Sequence, residues 1–250
     1  PSAPVGPIAA NPFERSRPAQ PQNAIDRAVF ARLGQLGIEP AQPCTDAVFV
    51  RRVFLDVIGT LPTPAETRQF LQDRRPAKRT ALIDQLLERD EFADYWTMKW
   101  SDLLRVKAEF PINLWPNAAQ AYHRWIHTAV RDNLPYDRFA RTLLTANGSN
   151  FREGPVNFYR AMQARDPASI AKTVALTFMG VRAEKWPARQ RGEMAAFFSR
   201  LGFKGTAEWK EEIVFFDPEK PLVPATGRVV FPDGTPGQLT PERDPREAFA

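Results

Sequence analysis

The stretch that decides the fold reads WTMKWSDLLR at residues 96–105, YHRWIH at 122–127 and NLPYDRF at 133–139, and it ends on NG at 147–148. Four of the six tryptophans and both histidines of the 250-residue chain lie in it. Its apolar residues recur at helical spacing, while Pro135 disfavours helical geometry at the residue before it. The stretch therefore predicts three helices, over about 91–106, 117–132 and 136–146.

Upstream, start and stop signals predict four more helices, over about 23–36, 46–58, 63–71 and 78–89. The clearest signal is TPAE at 63–66, a capping box with proline at the first helical position. Thr45 is the expected cap of the second helix, and Gly37 and Gly59 supply left-handed residues that end helices. The residues expected on the inner face of the first helix are Ile25, Val29, Leu33 and Leu36.

Downstream, Asp166-Pro167 opens a helix that Gly180 closes, and a last helix is expected over about 188–201. From Glu212 the apolar period becomes strand-like, at IVFF (213–216) and RVVF (228–231). We predict a mainly α fold: a single domain of about eight or nine helices with a short β-rich or irregular C-terminal extension. The expected boundaries are 1–22 for a flexible proline-rich tail, 23–205 for the helical domain and 206–250 for the extension.

Composition argues against several classes of protein. The formal net charge is +5, and 29 acidic residues are interspersed with 34 basic ones, so the chain lacks the concentrated basic stripe typical of nucleic-acid binding. No apolar run approaches the ~18 residues of a transmembrane helix. Because Cys44 is the single cysteine, no intrachain disulfide and no cysteine-based zinc or iron–sulfur site can form. We expect no nucleic-acid partner and no transmembrane segment.

His123 and His127 are the first candidate site residues, because residues four apart on a helix share a face. Their spacing is half of a zinc site, but the usual signature has Glu directly after the first His, where this chain has Arg124. The candidates for the third ligand that zinc needs are Glu109, Asp102 and Asp132. The alternative is a pair of surface or half-buried histidines beside Trp125, and we predict no metal site.

Asp102 is a candidate general acid, with Asp132 or Asp137 as the second carboxylate. Hydrolysis of a glycosidic bond uses two carboxylates placed across a cleft, and these residues with His123 and His127 would form such a site if they converged. The alternative is that Asp102 makes a local ion pair with Arg105, three residues further along the helix. No complete catalytic signature is present, so the catalytic residues stay unassigned.

Tryptophans at the predicted helices are candidate ligand-binding residues. Aromatic rings can form a flat platform for a sugar or another planar ligand, although helical aromatics more often fill a core. The four candidates are Trp96, Trp100, Trp115 and Trp125. Both interpretations remain open at the level of sequence.

Several short segments form a recognisable series along the chain. They are GIEP (37–40), RRVFLD (51–56), GTLPTP (59–64), LIDQLL (82–87), WSDLLR (100–105), NLPYDRF (133–139) and PVNFY (155–159). Together they resemble the DUF1549 family, also called PSCyt2, which is associated with cytochromes in planctomycete and verrucomicrobial bacteria. The resemblance covers about residues 23–203. The ending DPREAFA (244–250) resembles the entry to the DUF1553 domain that commonly follows in such proteins.

The resemblance implies an exported protein, periplasmic or at the cell surface, whose signal peptide has been removed. Many family members carry a Cys-x-x-Cys-His haem-attachment segment after a Phe-(Leu/Met)-Gly-Val element. Here FMGVR (178–182) is followed by AEKWPARQR (183–191), which has no Cys or His. Covalent haem attachment needs two thiols and an axial His, so we expect no cofactor in this chain.

Three functions follow from these observations. The first is a non-catalytic scaffold or interaction domain of a larger exported protein, with a DUF1553-like domain, a cytochrome-type protein or a glycan as its partner. The second is a polysaccharide-directed hydrolase that uses Asp102, His123 and His127. The third is a redox protein whose cofactor lies in a C-terminal part outside this chain.

Overall fold

A computed structural model describes residues 13–15 and 18–250. The described chain is mainly α-helical and has small antiparallel sheets in its C-terminal part, which is the fold class that the sequence predicts. It divides into two compact units, a first that ends at Phe92 and a second that spans Ala93–Ala250. Residues 1–12 and 16–17 of the predicted 1–22 tail lie outside the described residues.

The first unit is built from helices whose ends follow local sequence signals. Asn23 accepts a hydrogen bond from the Asp26 N–H, and both bonds of the capping box between Thr63 and Glu66 are present. Gly59 adopts a φ of 72° and ends its helix as predicted. The helices are α1 (Ala24–Gln35), α2 (Asp46–Ile58), α3 (Pro64–Gln72) and α4 (Lys78–Leu87), while α5 (Asp90–Leu103) continues into the second unit.

The core of the first unit forms where α2 packs against α3 and α4. Its buried residues are Val50, Val53, Phe54, Ile58, Phe70 and Leu86. The inner face predicted for α1 is wrong, because α1 has no buried residue and Ile25, Val29 and Leu36 are exposed. Periodicity shows that a helix has an apolar face, but burial also needs a partner packed against that face.

Asp46 joins the start of α2 to the start of α4. Its carboxylate receives Lys78 at 2.7 Å, Arg79 at 2.7 Å and Arg15 at 2.5 Å. Arg79 also donates to the carbonyl of Cys44, the residue that pairs with Glu14 in an isolated β-bridge. Thr45 is the cap residue, as predicted, although its side chain makes no cap hydrogen bond. The charge cluster around Asp46 holds this helix start.

The second unit holds the remaining helices and all the strands of the described chain. Its helices are α6 (Trp115–Arg131), α7 (Tyr136–Thr145), α8 (Asn157–Arg160), α9 (Pro167–Met179), α10 (Ala188–Ala196) and α11 (Pro245–Phe249). Short 3₁₀ helices span Gly154–Val156 and Ala183–Lys185. The predicted stop at Asn147-Gly148 and the cap at Asp166, which accepts the Ser169 N–H, are both confirmed.

Two antiparallel sheets complete this unit. The strands are β1 (Gly148–Ser149), β2 (Leu201–Gly205), β3 (Glu212–Phe216), β4 (Arg228–Val230) and β5 (Pro236–Gln238). The first sheet has the order β1-β3-β2, with Gly148 opposite Val214 and Leu201 opposite Phe216. The second is the β4-β5 hairpin, with Arg228 opposite Gln238.

The end predicted for the last long helix is wrong by several residues. That helix was expected to continue to Leu201, but α10 stops at Ala196 and Leu201 begins β2. Strand pairing with β3 overrides the helical spacing, and Gly202 fits there because a Cβ would lie 2.6 Å from the Phe215 ring. Strands β1, β2 and β5 and the short helices α8 and α11 were not predicted from the sequence.

Helices and strands of the second unit share one hydrophobic core. Side chains of α6, α7, α9 and α10 contribute to it, and so do Val214, Val229 and Leu239 from the C-terminal strands and their flanks. Residues 206–250 are therefore packed on the helices through buried apolar contacts.

A buried arginine anchors the C-terminal helix. Arg246 is 1% exposed, and its guanidinium pairs with Asp244 at 2.6 Å. The same group donates to the carbonyl of Ala146 at 2.9 Å and to the side chain of Asn147 at 2.7 Å, at the end of α7. Its charge lies 5.6 Å from the ring centroid of Tyr159. These contacts hold α11 against the end of α7.

The Asp46 cluster predicts a pH-dependent stability. Burial by itself would raise the pKa of Asp46, but hydrogen bonds from Lys78 and Arg79 and the charge of Arg15 outweigh it and lower the pKa from 3.8 to about 2. A lowered folded-state pKa contributes stability above the unfolded value and loses it as the pH falls toward the folded value. The stability added by this carboxylate is therefore complete above pH 3.8 and is lost as the pH falls toward 2.

Urea unfolding at several pH values between 5 and 2 tests this for the wild type and Asp46→Asn. The gap in unfolding free energy between the two proteins should narrow as the pH falls. Asp84→Asn, which removes an exposed carboxylate of α4, is the matched control. The prediction is contradicted if the difference in unfolding free energy between wild type and Asp46→Asn changes with pH no more than the difference between wild type and Asp84→Asn.

The Arg246 anchor predicts a large effect of removing its counter-charge. Asp244→Ala leaves a buried, uncompensated guanidinium and should lower the unfolding free energy by roughly 3–5 kcal/mol. The double variant Asp244→Ala, Arg246→Met should be less destabilised than this single variant, because no buried charge remains. Glu247→Ala, an exposed change on the same helix, should stay within about 0.5 kcal/mol of wild type in the same denaturant titration.

Candidate functional site

The structure separates the four tryptophans named as candidates for a ligand platform. Trp100 and Trp125 both pack against Phe139, each with ring centroids 4.9 Å from it. They belong to the hydrophobic interior of the second unit. Trp96 lies at the surface of α5, edge-on to Tyr95 at 5.9 Å.

Trp115 forms a surface pair with a tryptophan that the sequence reasoning did not select. Its ring meets the Trp209 ring at an interplanar angle of 76°, with centroids 6.3 Å apart. Trp115 is 39% exposed and Trp209 is 71% exposed. The ammonium of Lys210 lies 4.8 Å from the Trp209 centroid and 5.4 Å from that of Trp115. We call these three residues the tryptophan corner.

Trp115 and Lys210 both have a left-handed, strained backbone. Trp115 begins α6 with a φ of 67°, directly after the fully buried Leu114. Lys210 lies in the loop between β2 and β3 with a φ of 63°. Left-handed geometry costs a non-glycine residue roughly 1–2 kcal/mol, and such residues cluster at functional sites. The surrounding structure must therefore hold both residues in place.

Ser149 and Asn150 hold the loop that carries Trp209 by hydrogen bonds. The carboxylate of Glu211 accepts hydrogen bonds from Ser149 at 2.5 Å and Thr206 at 2.7 Å. The Ser149 bond, and then the Thr206 bond, lower the pKa of Glu211, so that it remains ionised at neutral pH. The buried amide of Asn150 donates to the Lys210 carbonyl at 3.3 Å and accepts the Glu212 N–H at 3.0 Å.

The two candidate histidines share a helix face, as their spacing predicts. Their rings are nearly parallel, with centroids 6.4 Å apart. His127 Nε2 lies 3.1 Å from the carboxylate of Asp94, a partner that the sequence reasoning did not name, while His123 is exposed. Asp132, one of the proposed third ligands, pairs with Arg131 at 2.9 Å.

The carboxylates proposed for acid–base chemistry are both exposed, Asp102 at the end of α5 and Asp137 in the first turn of α7. Within the described chain, neither side chain makes a hydrogen bond or ion pair with His123 or His127. His123 lines an open depression with Val106, Ala119, Gln120 and Arg124, and Asp102 and Asp137 are not part of its lining.

No group of three or more His, Cys, Asp or Glu side chains that could hold a metal ion occurs in residues 13–15 and 18–250. Cys44 is a free, partly buried thiol in the first unit.

The chemistry that the tryptophan corner offers is binding. An exposed indole face stacks on apolar faces of ligands, and two rings attract a cation.

A sequence signal for Trp209 existed but was weak. Trp209 lies outside the 96–148 stretch, in the strongly charged segment EWKEE (208–212). A large aromatic residue among charged neighbours is out of place in a core, and this pattern indicates a surface role. Its pairing with Trp115 depends on the fold of the whole second unit.

Fold and site define a mainly α-helical protein that carries an exposed aromatic pair on one of its units. The family model described as "Protein of unknown function (DUF1549)", PSCyt2, matches residues 24–199. The chain belongs to the DUF1549 family. No curated protein and no solved structure matches the chain. Among the described helices, none combines the length and apolar character needed to cross a membrane.

The anchoring of the Trp209 loop yields a testable effect. Asn150→Ala removes two hydrogen bonds of a buried amide and should cost roughly 1–3 kcal/mol of unfolding free energy. It should also alter the tryptophan fluorescence of the folded protein, since Lys210 and Trp209 lose their support. Asn117→Ala, an exposed change on α6, serves as control, and an Asn150→Ala variant with wild-type stability and emission contradicts the assignment.

Proposed function

We propose that this chain is a non-catalytic binding domain of a larger exported protein, and that the tryptophan corner binds a glycan. The observation that carries the proposal is the 71% exposure of Trp209 on a loop held by buried and ionised partners. Trp209 packs against Trp115 and still leaves most of its indole exposed, so an apolar ligand face can stack on it. A sugar ring, whose C–H faces are apolar, fits such a surface by stacking.

The position of the predicted acid–base residues favours binding over hydrolysis. Asp102, Asp137 and His123 are exposed and make no side-chain hydrogen bond with one another in the described residues, and His127 is engaged with Asp94. A glycosidase needs two carboxylates at a defined separation across the sugar. The corner offers instead two indole rings and the Lys210 ammonium that lies over them.

The proposed context is the one implied by the family resemblance: export to the periplasm or cell surface, where glycans are accessible. The segment DPREAFA (244–250), which resembles the entry to a DUF1553 domain, supports membership of a larger protein. A cytochrome-type protein remains a proposed partner of that larger protein. The burial of Arg246 ties this segment rigidly to the second unit.

Glycan binding by the wild type and Trp209→Ala tests the proposal. Hexasaccharides of β-linked glucose, xylose, mannose, N-acetylglucosamine and glucosamine are titrated by calorimetry and by affinity electrophoresis. At least one should bind saturably to the wild type, and Trp209→Ala should weaken that binding roughly tenfold or more, as loss of a central aromatic contact does.

The control is Ile25→Ala, which removes an equally exposed apolar side chain from the first unit. It should leave glycan affinity unchanged, and both variants should melt at the wild-type temperature. Absence of saturable binding to every hexasaccharide, or full affinity in Trp209→Ala, overturns the proposal.

A further inference from the structure

The tryptophan corner has the geometry of a cation site. Two nearly perpendicular indole rings present their surfaces to a common point, and the Lys210 ammonium lies within 5.4 Å of both centroids. A cation within about 6 Å of an aromatic centroid is attracted by the negative face of the ring. The position taken by Lys210 thus marks where an ammonium group is stabilised.

Lys210 occupies this position without an acidic partner. Among residues 13–15 and 18–250, no ion pair or side-chain hydrogen bond involves its ammonium, which lies over the two rings. A ligand ammonium that takes its place would break no salt bridge. The displaced lysine side chain is long and flexible, and its charge would be hydrated at the exposed loop.

We infer that the glycan bound at the corner contains an amino sugar with a free ammonium group, which replaces the Lys210 ammonium between Trp115 and Trp209. This inference rests on the proposed glycan-binding function. The apolar face of the sugar stacks on the exposed indole while its ammonium fills the corner. A single amino sugar unit thereby makes both the stacking contact and the cation–π contact.

The surrounding charges agree with a cationic ligand. Glu208 and Glu211 flank Trp209 and Lys210 in the same loop, and Glu211 is held ionised by Ser149 and Thr206. The loop thus carries two carboxylates within two residues of Trp209 and Lys210, and their negative charge favours a cationic ligand over an anionic one. An acidic sugar would instead bind the Lys210 ammonium directly. Removal of that ammonium should therefore raise the affinity for an amino sugar and lower the affinity for an acidic sugar.

Three β-1,4-linked hexasaccharides test the inference because they share a backbone and differ at one substituent. They are the hexamers of glucosamine, N-acetylglucosamine and glucose, titrated at pH 6 and about 0.15 M salt, where long-range repulsion is screened. The glucosamine hexamer should bind the wild type roughly twofold to fivefold more tightly than the glucose hexamer, the range expected for an exposed cation–π contact.

Lys210→Asn is the decisive variant. Asparagine tolerates the left-handed backbone at this position but is too short to reach the rings. Affinity for the glucosamine hexamer should rise by roughly twofold to fivefold, because the competing ammonium is gone. The ratio of the affinity for the glucosamine hexamer to that for the glucose hexamer should rise by a similar factor. Lys185→Asn, which removes one exposed charge elsewhere in the second unit, controls for the change in net charge.

The outcomes separate the two claims. Equal binding of the three hexamers to the wild type, or weaker binding of the glucosamine hexamer by Lys210→Asn, overturns the amino-sugar inference and leaves glycan binding standing. An equal gain in Lys185→Asn also overturns it, since the effect is then one of net charge. Failure of every glycan in the wider panel to bind overturns the proposed function and the inference together.

Discussion

The buried guanidinium of Arg246 is the constraint on which the arrangement of the second unit depends. Its donors reach the carbonyl of Ala146 and the side chain of Asn147, where α7 ends, while Asp244 supplies the counter-charge. Tyr159 packs beside it and donates to the Leu144 carbonyl at 2.5 Å. Burial, only partly offset by the charge of Arg246, raises the pKa of Tyr159 to about 12. Such a network is favourable only when every member is paired, so it admits one position of the C-terminal helix.

The same junction connects the anchor to the tryptophan corner. Asn147 also accepts the Phe216 N–H at the end of β3, and the next residues, Gly148 and Ser149, form β1 beside that strand. Ser149 then holds Glu211, and Asn150 holds the Lys210 carbonyl. Residues 147–150, which lie between α7 and α8, therefore connect the buried Arg246 to the loop of Trp209 through hydrogen bonds. The buried Asn150 and the partly buried Ser149 hold the loop that carries Trp209.

Tryptophans that are close together in the sequence take two different environments, the hydrophobic core and the surface. Trp100 and Trp125 are on helices whose faces turn toward Phe139, so their rings serve the core. Trp115 follows the buried Leu114, and its left-handed backbone turns the ring away from that core. Exposed rings, a left-handed backbone at Trp115 and Lys210, and the Lys210 ammonium coincide in the tryptophan corner, and this coincidence supports binding there.

Local chemistry let the sequence by itself determine much of this protein. Caps at Asn23, at Thr63 with Glu66 and at Asp166 involve neighbours within a few residues, so their patterns predict helix starts. Helical periodicity adds the mainly α fold, and short segments such as RRVFLD (51–56) and NLPYDRF (133–139) indicate the family. Only the tertiary structure decided the rest. β2 replaced the end of a predicted helix because a distant strand pairs with it, and α1 kept its apolar face exposed because the unit core forms between other helices. The corner joins Trp115 to Trp209, whose proximity depends on long-range packing that no local pattern of residues encodes.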